Sequence, residues 1–432
     1  MSFQRLGAIA LIFFGTTLAW SILGSSLLAR TGQFDSRLEH DVQLLWGGVH
    51  RQVAPNAWVF RPGTETETVE TKEPDGKIVR KQVTKAVRRT WPAHLESTRA
   101  KVDLGLEHRR KGLLWYPTYT VGFNGTFQFR NPDEEERELH VRLPLPAQDA
   151  LFDDFVFTID GRTVVPAHDV SKEIVAVTTA APGATVRLDA RYTSRGIGSW
   201  TYAFVPTGVA QVKDFDLTMQ TNFKGIDYPA GAVSPSTKRE TPNGWQLGWT
   251  FSNLISGQAI GMALPEKLNP GPFAARVTFF APVSLLFYFA VMVIMGATYG
   301  PRLHPMHYWF IAAAFFAFHL LLAYLVDHVA IHWAFAAAAL VSVGLVMSYL
   351  RAVAGMRQAL LRAGVSQVVF LVLFSYAFFF EGVTGLAITI GAIVTLYAMM
   401  QMTAHLSWDE VFQAGTSRTS LQPREHTDAN RG

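Results

Sequence analysis

Four residues in the C-terminal third of the sequence set titratable groups beside long apolar runs: His319, Asp327, His328 and Glu381. An unpaired charge in lipid is costly, at least ~2.5 kcal/mol for an aspartate at a helix centre. An Asp-His pair that meets a second acid could bind a cation, relay protons or dock another domain. Helical spacing puts His319 about 12 Å along the axis from Asp327 and roughly 80° round it. That placement suits a neutral histidine bonded to a neighbouring helix. For Asp327, His328 and Glu381 the plainer alternative is that they are solvated residues at the outer ends of helices.

Other chemistries find little support. The 432 residues include no cysteine, which removes disulfides and thiolate chemistry together. The net charge is only +4, and the basic residues are scattered, so nucleic acid is not an expected partner. HExxH, GxSxG, Walker and Gly-rich nucleotide signatures are absent. No catalytic residue, cofactor or metal site is expected. Two basic knots, Lys85/Arg88/Arg89 and Arg109/Arg110/Lys111, could meet anionic lipid or cell-wall polymer, or form a solvated strand face.

The elements that would hold the four residues are apolar. Five segments, about 275–297, 307–326, 329–350, 365–380 and 383–403, approach the length needed to cross ~30 Å of hydrocarbon. Glu381 cuts the fourth short. Leu6–Ala29, after Arg5, reads as a sixth span, an uncleaved anchor; a cleaved signal peptide is the alternative, since Gly24, Ser25, Ser26 and Ala29 are small. Counted from an inside N-terminus, Arg302, Arg351, Arg357 and Arg362 fall in cytoplasmic loops, as the positive-inside rule expects. Both termini are then cytoplasmic. Ala334/Ala338/Ser342 and Gly385/Thr389 recur at four-residue spacing, which predicts packing seams.

Between anchor and bundle the period changes to two. Asp35–Trp46 keeps helical spacing, but TETETVETKEPDGKIVRKQVTKAV, with Pro74-Asp75-Gly76 at its turn, reads as a hairpin. YTVGFNGTFQF, DDFVFTIDGRTVV with a turn at Asp160-Gly161, and GWQLGWTF read as strands. Roughly 240 residues of this kind can bury a core, either a sandwich or two small β-subdomains.

PRLHPMHYWF (Pro301–Phe310) and HLLLAYLVDHVAIHWAFAAAALVSVGLVMSYLRAV resemble the CreD family of bacterial inner-membrane proteins. The shared marks are a basic Leu-His-Pro-Met-x-Tyr loop, an apolar helix ending in Asp327-His328, a Trp-led helix and Tyr-Leu-x-Ala-Val. LWGGVHRQVAP and WPAHLESTRAKVDLGLEHRRKGLLWYPTYTVGF are similar to the family's outer part. The family's closing Thr-Arg pair and Asp-Trp-Tyr are replaced here by MTAHLSWDEVFQ. The resemblance implies a role in envelope integrity and stress response, and brings no reaction with it.

The expectation is a multi-pass membrane protein of the bacterial inner membrane, an α-helical bundle of one plus five spans with a large β-rich extracytoplasmic domain. Its parts would be an anchor (1–29), a periplasmic β-rich domain (30–272), a five-helix bundle (273–404) and a cytoplasmic polar tail (405–432). The lipid bilayer is the expected partner, with envelope components or a membrane protein beside it. The role is read as non-enzymatic; a transporter or membrane enzyme using Asp327, His328 and Glu381 is the alternative.

Overall fold

The computed structural model describes residues 3–72, 78–112, 114–147, 150–164, 172–298, 303–354, 363–380 and 382–404. The expected turn at Pro74-Asp75-Gly76, the tail from residue 405, and Arg302, Arg357, Arg362 and Glu381 lie outside these residues. The chain forms two compact units, Ser36–Lys267 and a membrane unit of Met1–Asp35 with Leu268–Gly432.

The β unit carries fourteen strands among the described residues. β1 (His50–Val53) pairs in parallel with β10 (Ser199–Ala203), which pairs with β14 (Ile260–Ala263), giving a three-stranded sheet. The larger sheet runs β12 (Thr237–Glu240), β13 (Trp245–Ser256), β11 (Ala210–Thr221), β3 (Ile78–Lys111), β4 (Leu114–Arg130), β9 (Thr185–Ile197), β6 (Phe152–Ile159) and β7 (Arg162–Thr163). The 34-residue β3 does two jobs. Up to Ala93 it pairs with β2 (Asn56–Lys72), and β2 leads to β5 (Arg137–Pro144) and β8 (Glu173–Ala180). From His94 it pairs with β4, after an irregularity between Leu95 and Ser97 of the kind that re-aims a strand.

Alternation makes the core. Tyr119, Val121, Phe123, Phe127 and Phe129 of β4 all point inward, and each fully buried apolar side chain contributes ~1.5–3 kcal/mol. Gly125 shares their phase, and a Cβ there would meet the Phe127 and Phe123 rings, so only glycine fits. Both Asp160 and Gly161 have positive φ, the geometry of a tight hairpin turn. One contiguous core draws on both sheets, so the sandwich-like form holds over two subdomains. Past Val59, β2 and β3 pair only with each other among the described residues, forming a ribbon about 40 Å long.

The membrane unit holds the first part of α1 (Phe3–Trp46), then α2 (Pro270–Thr298), α3 (Pro305–Leu325), α4 (Ile331–Ala354), α5 (Val365–Phe379) and α6 (Thr384–Thr403). Five of these are long and apolar enough to cross a membrane; α5 is shorter. Its Val368–Leu373 turn is π-helical and Ala377–Phe379 is 3₁₀. His304 caps α3 by accepting from the Met306 N–H, and Pro305 sits at N1, where its missing N–H costs nothing. This is the physical content of the Leu-His-Pro-Met loop. Ala334, Ala338 and Ser342 are completely buried, as a seam requires. Gly385 and Thr389 are exposed, contrary to expectation, and the Thr389 hydroxyl bonds its own helix at Gly385 O.

Candidate functional site

Asp327 follows the last turn of α3 and meets a partner that the sequence reading did not pair with it. The Arg30 guanidinium lies 2.8 Å from its carboxylate, 3.5 Å from Ala323 O and 5.9 Å from the centre of the Tyr324 ring. The signal was present in retrospect, since an arginine closing one span and an aspartate closing another share a depth in the bilayer. At the other end of the same two helices the Arg5 guanidinium donates to Leu303 O. Arg5 and Arg30 are ~37 Å apart on a straight helix, about one membrane thickness. These two contacts bracket α1 and α3 as parallel neighbours. The Arg5 end is also where His307 Nδ1 lies 2.7 Å from Tyr349 OH, joining the start of α3 to the end of α4 near Arg351.

His328 is exposed, its backbone N–H bonded to Leu325 O. Glu381 lies outside the described residues. His319 is 1% exposed, set apart from Asp327 along the helix. Its Nδ1 lies 2.9 Å from Phe315 O on its own helix, not on a neighbouring one as expected. That contact requires an Nδ1–H and leaves Nε2 as an acceptor. Nε2 has no hydrogen-bond partner, nor has the indole N–H of Trp20, whose ring lies 5.3 Å away.

Deeper in the bundle, Ser342 Oγ donates to Ala314 O at 2.7 Å, and Gln367 Nε2 donates to Ser342 Oγ at 2.9 Å. Gln367 is completely buried with Oε1 unpaired. The Ser284 hydroxyl donates to Phe370 O, in the π-helical turn of α5. Sequence reading missed Gln367 because a glutamine before an apolar run looks like a helix terminus.

The basic knots of the β unit are largely engaged by their own fold. Lys85 pairs with Glu67 at 2.7 Å, Arg109 with Glu107 at 3.1 Å and Lys111 with Asp41 at 3.0 Å. Arg89 and Arg110 donate to backbone carbonyls, and Arg109 also lies 3.5 Å from the centre of the Trp46 ring.

Elsewhere in the β unit lies a buried polar group whose members are far apart in sequence. His50 Nε2 lies 2.8 Å from Ser194 Oγ and Nδ1 lies 3.0 Å from Gly48 O. Tyr119 OH donates to Ser199 O and Tyr192 OH donates to Gln52. A serine within reach of an imidazole is the geometry of an activated nucleophile. Here both side chains are closed to solvent, and Ser194 Oγ also lies 2.8 Å from Leu151 O. Burial pushes His50 down to about 4, against a smaller opposing effect of Gly48 O, so it is a neutral structural element at ordinary pH. No group of three or more potential metal ligands occurs among the described residues.

Apolar helices of spanning length and a β unit with its own core define a membrane protein with a large non-membrane part. The model of the family described as "Inner membrane protein CreD" matches residues 236–409, which take in the end of the β unit and the helices from α2 to α6. Over this stretch the chain is similar to the CreD family of inner membrane proteins, in keeping with the motifs around residues 301–355. No curated protein matches the chain. Among solved structures, a Legionella pneumophila protein provisionally described as nutrient binding is 12% identical, over 49% of this chain and 78% of its own, at a TM-score of 0.29. A score that low carries no argument about this chain.

Proposed function

We propose that this inner membrane protein supports envelope integrity under stress, without catalysis, through a β unit held on the periplasmic side. The observation that carries the reading is the placement of a unit with its own core, Ser36–Lys267, between two spanning-length apolar helices. The family resemblance supplies the envelope. The orientation rests on Arg5 and Arg351, which share one end of the bundle through Leu303 and the His307–Tyr349 contact. The alternative, transport or chemistry at Asp327, His328 and Glu381, is weakened because Asp327 is already paired with Arg30.

Alkaline phosphatase fused within the β unit is expected to be active, and fused after residue 404 inactive. In-frame removal of residues 36–267 is expected to abolish protection against detergent and osmotic stress while the remaining helices still insert. Normal protection by the truncated chain would overturn the proposal.

A further inference from the structure

Past Val59 and before His94, β2 and β3 leave the sandwich as a two-stranded ribbon, in unbroken register from Ala57 opposite Ala93 to Lys72 opposite Ile78. Its base is fixed. Arg61 Nε donates to Asp133 at 2.7 Å, and the same guanidinium lies 4.3 Å from the centre of the Trp91 ring. Beyond the base, the outer edge of each strand presents backbone N–H and C=O groups that no other described strand takes up. A lone two-stranded ribbon is only marginally stable in water, and an open edge is a template for another strand. Proline or a bulge often guards such an edge, yet neither occurs between Gly63 and Lys72 or between Ile78 and Trp91.

The charges on the two strands are opposite. β2 carries Glu65, Glu67 and Glu70 and no base from Gly63 to Thr71, whereas β3 carries Arg80, Lys81, Lys85, Arg88 and Arg89 and no acid from Ile78 to Trp91. Within the ribbon Glu67 takes Lys85 at 2.7 Å and Glu70 takes Arg80 at 2.9 Å. Arg89 donates to Thr64 O, and neither Glu65 nor Arg88 has an ion partner among the described residues. A two-fold dimer would set one edge against its own copy, acid on acid or base on base, which charge opposes. Copies related by translation in one membrane have ribbons that point alike. β2 of one copy then lies antiparallel to β3 of the next, acid against base.

We propose that the ribbon is a self-association surface, in which the acidic β2 edge of one copy adds to the basic β3 edge of a second copy of this chain. The backbone supplies the pairing, and the charges fix which edge meets which. Each contact is head-to-tail, so it leaves one edge free at either end and repeats as a row in the membrane plane. The inference is separate from the envelope role, because it needs only copies inserted in the same sense.

Two full-length copies with different tags, co-expressed in one membrane and solubilised at low ionic strength, test this by recovery of one tag on the other. A charge-exchanged chain, with Glu65→Lys, Glu67→Lys, Glu70→Arg, Arg80→Glu, Lys81→Glu, Lys85→Glu and Arg88→Glu together, keeps opposite charges within its ribbon and reverses both edges. Wild type is expected to recover wild type and the exchanged chain to recover itself, whereas recovery between the two should fall about tenfold. If wild type recovers no second copy, or recovers the exchanged chain as well as it recovers itself, the proposal fails. Glu65→Lys alone breaks no ion pair within the ribbon and serves if the exchanged chain does not fold. It is expected to lower self-recovery about threefold, and unchanged recovery would equally overturn the proposal.

Discussion

The pairing of Arg30 with Asp327 separates a latch between helix ends from a site of chemistry. Two unit charges about 4 Å apart attract by ~4 kcal/mol at an effective dielectric constant of 20. Side-chain ordering and lost hydration remove most of that, leaving 0–1 kcal/mol for exposed pairs. The side chains here are 37% and 19% exposed, which puts the pair near the top of that range, about 1 kcal/mol or a fivefold change in an equilibrium. A double-mutant cycle of Arg30→Ala and Asp327→Ala, read by the thermal stability of the full chain in nanodiscs, is expected to return a coupling of that size. Envelope protection in cells supplies the second readout. As a latch, the pair tolerates reversal, so Arg30→Asp combined with Asp327→Arg should restore what Asp327→Asn loses. A coupling below about 0.3 kcal/mol, or a reversed pair no better than Asp327→Asn alone, would refute the latch and return Asp327 to the list of residues doing chemistry.

The buried histidine of the β unit predicts a pH dependence. His50 titrates at about 4 in the folded unit against 6.5 when exposed, so the folded state resists protonation that the unfolded chain accepts. Its stability contribution is complete above pH 6.5 and is lost as pH falls toward 4, by about 3 kcal/mol in total. Hydrogen exchange at the β10 amides should follow that slope, and His50→Gln should flatten it; an unchanged slope would mean that another group titrates. In the bundle, Gln367→Leu gives up one intramembrane hydrogen bond of about 0.6 kcal/mol and removes an unpaired carbonyl, so stability should hold or rise. Ser342→Ala, which strands Gln367 Nε2 as well, should lower it by about 1–2 kcal/mol. Thermal melts of the two variants in nanodiscs compare them directly, and a Gln367→Leu protein less stable than the Ser342→Ala protein would mean that Oε1 has a partner in the membrane.

Period and composition were enough for the classes of element. Lipid demands long apolar helices and a two-sided sheet demands alternation, so the spans and the strands around Tyr119–Phe129, Phe152–Ile159 and Trp245–Phe251 could be read from the residues alone. The Leu-His-Pro-Met loop marked a helix start for a local reason, a cap and a proline at N1. Its likeness to the CreD family was visible for the same reason, since motifs around helix ends are contiguous in sequence.

What the tertiary structure alone decided is which distant residues meet. Arg30 finds Asp327 across almost 300 positions, Gln367 finds Ser342, and His50 finds Ser194, none at a spacing that any local rule records. The Gly385/Thr389 pattern failed as a seam because small residues permit close approach without requiring it. Burial, and therefore which polar atom is left unpaired, is set by packing over the whole core. The unpaired Oε1 of Gln367 could only be found there.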